Sequence, residues 1–282
     1  MSQNDRADQF REGPIGIFDS GIGGLTVTAQ ISQALTRERL IYFADSAHLP
    51  YGQRSLDEVR GFSIAITRAL LEKGCKMIVI ACNTASGAAL KSLREIFPSA
   101  IFVGMEPAVK PAAESTRSRV VGVIATPATF QSEVYASVVE RFAADVTVLH
   151  QPCPGLVGQI EAGELDTPRT EEMLRTWIEP MLEKGIDSLV LGCTHYPLVR
   201  PLIERIVGEN VRVIDPAPAI ARQVERLLDH DGLRSLSQEG SLICYTSGPL
   251  QPFEEMLQRL KLVVATEIRH ASWLPDGKIS LP

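Results

Sequence analysis

No apolar run in this chain approaches the roughly 20 residues that cross a bilayer, which speaks against a membrane-embedded protein. The residues from Met1 to Glu12 are polar and lack the apolar stretch of a secretory signal. Residues 1–13 therefore read as a short flexible tail, and the expected location is the cytoplasm. No Cys-x-x-Cys pair occurs, the five cysteines are odd in number, and the five histidines are scattered at 48, 150, 195, 230 and 270. Such spacings argue against a disulfide framework and a zinc site, so no metal is expected. No basic stripe runs along the chain, and its net charge is −6. Neither nucleic acid nor an anionic membrane is an expected partner.

What is present is an ordinary globular composition, 45% hydrophobic and 22% charged over 282 residues. Short β-rich runs alternate with amphipathic segments, the signature of βαβ units and a parallel sheet. Strands are expected at 15–18, 40–44, 76–81 and 101–105, then at 120–124, 146–150, 186–192 and 211–214. Two more are expected at 241–245 and near 262–268. Helices follow from three- and four-residue spacings such as Val27, Ile31 and Leu35, or Val59, Phe62, Ile66 and Leu70. Ser55 followed by Glu58 predicts a capping box. Phe130, Val134, Val138 and Phe142 predict one further helix.

The pattern says one thing twice, about 110 residues apart. Met77-Ile-Val-Ile-Ala-Cys82-Asn83-Thr84 and Leu189-Val-Leu-Gly-Cys193-Thr194-His195-Tyr196 each end an apolar run in a cysteine. Asp19 precedes Cys82 by 63 residues and Thr126 precedes Cys193 by 67; Glu106 and Asp215 follow the two cysteines by 24 and 22. The repeat predicts an α/β fold of two pseudo-symmetric doubly wound domains with mostly parallel sheets and a cleft between them. Their expected limits are 14–106 plus 217–282, and 107–216. Ligands of open α/β sheets bind beyond the carboxyl ends of the strands, and each candidate group lies at or near such an end. A lone cysteine is most often a core residue; the twin at the same place in the repeat favours a paired role. Cys75, Cys153 and Cys244 read as structural.

Asp19-Ser20-Gly21-Ile22-Gly23-Gly24 is a tight strand-to-helix turn whose N–H groups suit a small carboxylate. It has neither the Lys-Ser/Thr of a Walker loop nor the full Gly-x-Gly-x-x-Gly of a dinucleotide site. Its Phe-Asp-Ser-Gly string matches an aspartic peptidase only superficially, because that enzyme needs two such aspartates in an all-β fold. His195 can tune Cys193 or donate a proton itself. Tyr51-Gly52 can present a backbone N–H or a hydroxyl. His48, in a plausible cleft loop, has no assignable role.

Phe18-Asp19-Ser20-Gly21-Ile22-Gly23-Gly24, Pro50-Tyr51-Gly52, Ala81-Cys82-Asn83-Thr84-Ala85 and Gly192-Cys193-Thr194-His195-Tyr196-Pro197 together resemble bacterial glutamate racemase, of the aspartate/glutamate racemase superfamily. The resemblance runs from about Pro14 to the end of the last strand. It implies a cofactor-free isomerase that interconverts L- and D-glutamate and supplies D-glutamate for peptidoglycan. Cys82 and Cys193 would be the acid/base thiols, assisted by Asp19 and His195 respectively, with Glu161 a further acidic helper. Asp19, Ser20, Pro50, Tyr51, Gly52, Asn83, Thr84, Thr126, Thr129, Thr194 and His195 would bind substrate. A proline usually stands where this chain has Gly158, and a glycine where it has Ala125. The resemblance leaves room for a homodimer. Other readings of the paired thiols are a racemase for aspartate or hydantoin, a two-lobed binding protein, or a redox pair.

Overall fold

The computed structural model describes residues 10–261 and 265–282. Two parallel sheets carry the architecture. The first has the order β10-β9-β2-β1-β3-β4, built from β1 (Ile15–Asp19), β2 (Arg39–Ala44), β3 (Met77–Ile80), β4 (Ile101–Gly104), β9 (Ser241–Thr246) and β10 (Glu267–His270). The second has the order β6-β5-β7-β8, from β5 (Val120–Ala125), β6 (Thr147–Pro152), β7 (Ser188–Gly192) and β8 (Arg212–Ile214). The order β2-β1-β3-β4 recurs as β6-β5-β7-β8, so the sequence repeat is a repeat of topology. Every pairing within the two sheets is parallel; a small antiparallel pair, β11 (Ser272–Trp273) with β12 (Ile279–Ser280), stands apart. β1 and β3 are buried along their whole length, as near-continuous apolar runs demand of strands covered by helices on both faces.

The helices that matter for the site begin at strand ends. They are α1 (Leu25–Ala34), α2 (Leu56–Glu72), α3 (Asn83–Ile96), α4 (Val109–Ser115), α5 (Pro127–Phe130), α6 (Glu133–Phe142) and α7 (Leu156–Glu161). α2 starts in the Ser55/Glu58 capping box that its sequence predicts. Phe62 departs from the inward stripe expected of it: it is partly buried and packs against His48 and Trp273. The single helix expected over Phe130 to Phe142 is two, because Ser132 accepts the Tyr135 N–H and opens a second N-terminus. After β7 the chain makes a 3₁₀ turn, Tyr196–Val199, that leads into an α-helix at Arg200–Val207.

Two expectations concern the chain ends. Of the tail, residues 1–9 lie outside the described residues, but Arg11 and Glu12 are tied down. Glu12 accepts from the Ser235 hydroxyl (2.6 Å) and the Leu236 N–H (2.8 Å). Lys76, buried against Glu38 at 2.6 Å, donates to the Arg11 carbonyl at 2.6 Å. A buried ammonium needs such partners, and they fix this segment. The last strand begins at Glu267 rather than near 262, and positions 262–264 lie outside the described residues.

Candidate active site

In the order β2-β1-β3-β4 the connections leave β1 and β3 toward opposite faces, which opens a crevice at their carboxyl ends. Asp19 and Ser20 end β1; Cys82, Asn83 and Thr84 follow β3. In the second sheet Thr126 follows β5, and Cys193, Thr194 and His195 follow β7. These ends face one another across a single cavity of about 10 Å³. Ser20, Cys82, Asn83 and Thr84 line it from one sheet, Thr126, Thr129, Cys193, Thr194 and His195 from the other, with Pro50, Tyr51 and Gly52 as a third wall. Such a volume holds a water molecule but not an amino acid, so the two lobes are closed on each other.

Cys82 is the N-cap of α3: its sulfur accepts the Ala85 N–H at 3.4 Å. One N–H is not enough to favour the thiolate here. Burial, and then the negative charge of Asp19 beside it, push the Cys82 thiol well above its ordinary range. Asp19 is itself fully buried, and burial raises its carboxyl despite the nearby His195 and hydrogen bonds from backbone N–H groups. This half of the site holds its proton tightly.

The other half differs. His195 lies with Nδ1 3.8 Å from the Cys193 sulfur and Nε2 2.6 Å from Glu161 Oε1. Burial alone would lower its pKa, but hydrogen bonds to Cys193 and Glu161 outweigh it and raise the imidazole well above its ordinary value. A carboxylate behind an imidazole fixes its tautomer and favours its charge. The symmetric fold thus presents two chemically unequal thiols.

The glycine turn does not do what its sequence suggests. Its N–H groups are occupied by the protein's own carboxylates: Ile22 N–H donates to Glu161 at 2.8 Å, and Gly24 N–H to Asp19 at 2.6 Å. Both anions are internal: Asp19 belongs to the turn itself, and Glu161 arrives from the other lobe. A Cβ at Gly21 would stand 2.9 Å from Glu161 Cδ, and one at Gly23 2.8 Å from His195 Cγ and Cε1. Glycine is required at both positions by this close approach. Other bonds cross the same seam. Thr26 Oγ1 donates to the Thr194 carbonyl (3.2 Å), Thr194 Oγ1 to Asp19 (3.3 Å), and Thr84 pairs with Thr126 (3.0 Å) and Thr129 (3.4 Å).

Asp19 and Glu161 lie behind the cavity wall rather than on it. The Tyr51 hydroxyl is committed to Asp45 at 2.7 Å, although Tyr51 and Gly52 both line the cavity. Sequence reasoning passed over Thr26, Val157 and Gly192, the last two being cavity residues. Gly192 closes β7, and the strand-end rule that selected Cys193 could have selected it. Thr26 carries no such signal. Asn83 is buried with both amide atoms unpartnered among protein groups, which suits a group that meets a ligand. Among the described residues no cluster of His, Cys, Asp or Glu could hold a metal ion, and no helix is long and apolar enough to cross a membrane.

The remaining cysteines are buried and do not line the cavity, although Cys153 lies near enough to Cys193 to feel its charge. Burial pushes the Cys75 and Cys244 thiols from 9.0 up to about 12, and raises Cys153 as well. The unfolded chain releases these protons from about pH 9, whereas the fold keeps them. Their contribution to stability is therefore complete below pH 9 and is lost as the pH rises from 9 toward 12, at about 1.4 kcal/mol per thiol per pH unit. The urea midpoint is expected to fall across that window, and to fall less steeply in Cys75→Ala/Cys244→Ala. Equal slopes would contradict the assignment.

The family described as Asp/Glu/Hydantoin racemase matches residues 15–224. A curated glutamate racemase of Ectopseudomonas mendocina (strain ymp) is 48% identical over 249 residues, 88% of this chain and 95% of that protein. The solved glutamate racemase of Francisella tularensis, in complex with D-glutamate, superposes with a TM-score of 0.82 at 31% identity, covering 93% of this chain and 98% of that one. That of Escherichia coli, with L-glutamate and the activator UDP-MurNAc-ala, gives 0.81 at 30% identity over 92% and 98%. The chain therefore belongs to the Asp/Glu/hydantoin racemase family and groups with its glutamate racemases.

Proposed function

We propose that this enzyme is a cofactor-independent glutamate racemase working by two-base proton transfer between Cys82 and Cys193. One observation carries the reading: two cysteines, at equivalent strand ends of a repeated topology, line one cavity from opposite lobes. Racemisation takes the α-proton from one face of the substrate and returns a proton to the other. One sulfur, as thiolate, accepts the α-proton; the other, as thiol, donates its own to the opposite face. The reverse reaction exchanges the roles, so a near-symmetric protein suits a near-symmetric reaction.

An unperturbed thiol is only about 3% ionised at pH 7, so each sulfur needs a helper. Asp19 is positioned to take the proton of Cys82, and His195 to exchange one with Cys193, held by Glu161. The orphaned amide of Asn83 supplies a donor and an acceptor to the substrate's charged ends, and Ser20, Thr84, Thr126, Thr129 and Thr194 add hydroxyls. Thiol acid/base work alone contributes roughly 10²–10⁴-fold. Closure must supply much of the rest, by removing water and fixing hydrogen bonds around the carbanion-like transition state. We read 14–106 plus 217–282 and 107–216 as the two closing units. The relatives in complex with D- and L-glutamate support the substrate. The activator of the Escherichia coli enzyme, a muramic-acid nucleotide, supports a place in the cytoplasmic supply of D-glutamate for peptidoglycan. The deciding assay follows formation of D-glutamate from L-glutamate and of D-aspartate from L-aspartate separately. Turnover of glutamate alone is expected; faster turnover of aspartate would reassign the substrate.

A further inference from the structure

Asp45 immediately follows β2, one strand over from Asp19, and is fully buried. Among the described residues its only ion-pair partner is His48. A carboxylate offers about four lone-pair positions, and four side-chain donors meet this one. His48 Nδ1 donates at 2.9 Å and the Tyr51 hydroxyl at 2.7 Å, both from the loop 46–53. The Ser247 hydroxyl donates at 2.8 Å from the turn after β9, and Trp273 Nε1 at 2.8 Å from the C-terminal β11. The same rings lock one another. His48 stacks on Phe62 with centroids 3.9 Å apart, and Trp273 meets it edge-on at 4.7 Å.

The loop held in this way is the third wall of the cavity, through Pro50, Tyr51 and Gly52. Among the described residues its own backbone makes five hydrogen bonds: His48 N–H reaches the Asp45 carbonyl (3.1 Å), Ala47 N–H the Ser247 hydroxyl (3.0 Å) and Gln53 N–H the Pro50 carbonyl (3.4 Å), while Arg54 donates its N–H to the Tyr51 carbonyl (3.0 Å) and its Nε to the His48 carbonyl (3.1 Å). Two of these five tie the loop to Asp45 itself or to Ser247, which Asp45 holds. We propose that Asp45 is a positioning residue for the racemase reaction, and that Trp273, in the C-terminal segment, acts through it to fix the wall 50–52 against the substrate. This rests on the glutamate racemase reading for its kinetic consequence. His48 gains a role as one of the four donors that saturate the carboxylate.

Trp273 is only partly buried, so Trp273→Phe keeps a ring while removing the donor and is tolerated by the fold. In that variant KM for both glutamate enantiomers is expected to rise about tenfold, the worth of one hydrogen bond to a charged group. The kcat is expected to stay within about twofold and the melting temperature near that of wild type. Amide exchange in the loop 46–53 is expected to quicken about tenfold as its local opening becomes easier. Asp45→Asn should do at least as much, and Trp273→Phe/Asp45→Asn no more than Asp45→Asn alone, since two residues acting through one contact are not additive. Unchanged KM and unchanged loop exchange in Trp273→Phe would overturn the proposal, as would multiplicative effects in the double variant. If wild type turns over no glutamate, the racemase reading fails, and the exchange data alone decide whether Trp273 and Asp45 hold the loop.

Discussion

Cys82→Ala and Cys193→Ala are each expected to lower racemisation of either glutamate enantiomer by at least about 10⁴-fold, the upper range of what a positioned acid or base contributes. The loss should be equal in both directions, because every turnover in either direction uses both sulfurs. The folds should survive, since each change removes one buried sulfur, a cost of the order of 1–3 kcal/mol. A single thiol still suffices to abstract a proton from one face. Each variant should therefore eliminate HX from a glutamate analogue carrying a leaving group, starting from one enantiomer only, and the two variants should prefer opposite enantiomers. Circular dichroism of the substrate reads the first effect and product analysis the second. Appreciable racemisation by either variant would sink the assignment.

The second large effect comes from the seam. Gly23→Ala is expected to lower kcat/KM by about 10²–10³-fold with little change in melting temperature. Its Cβ would stand 2.8 Å from His195 Cγ and Cε1, inside any real carbon–carbon contact. The ring cannot give way cheaply, because Glu161 holds its far nitrogen at 2.6 Å and Cys193 lies at 3.8 Å on the other. The strain is relieved instead by the lobes closing less completely, and a misplacement of about 1 Å costs roughly 10²-fold. Gly21→Ala should behave alike, since its Cβ meets the Glu161 carboxyl group. Gly61→Ala is the control: that glycine lies on the exposed face of α2 with nothing within 4 Å. It should keep full activity and gain up to about 1 kcal/mol from helix propensity. Normal activity in Gly23→Ala would show that the tight seam is not needed.

Much of this site is legible in the sequence because it obeys a rule of the backbone. A parallel strand delivers its last residue to the ligand side of the sheet, so Asp19, Cys82, Thr126 and Cys193 can be read from where apolar runs stop. The repeat is legible for the same reason, since β2-β1-β3-β4 and β6-β5-β7-β8 spring from the same alternation of strands and helices. Contacts between distant segments are not legible in this way. The glycine turn reads as a site for a ligand's carboxylate, but the Ile22 N–H is taken by Glu161, 139 residues further along. Asp45 also follows a strand, yet its meaning depends on Trp273, 228 residues away, and no local pattern encodes that pair. The break at Ser132 escapes a periodicity count because a hydroxyl cap interrupts the helix without disturbing the apolar spacing around it. The raised thiol of Cys82 likewise comes from burial and the charge of Asp19, which only the folded chain defines.

The central claim is that two thiols each serve one face of the substrate. It is tested most directly by running the wild-type reaction in deuterium oxide from pure L- and pure D-glutamate and measuring the label in both enantiomers before equilibrium. A sulfur that has taken an α-proton carries that proton alone, while the opposite sulfur enters the turnover already exchanged with solvent. Product formed in either direction should therefore carry deuterium at the α-carbon from the first turnover, and recovered substrate should carry almost none. Early label in the recovered substrate, or product that retains the original proton, would contradict the account and assign both transfers to a single base.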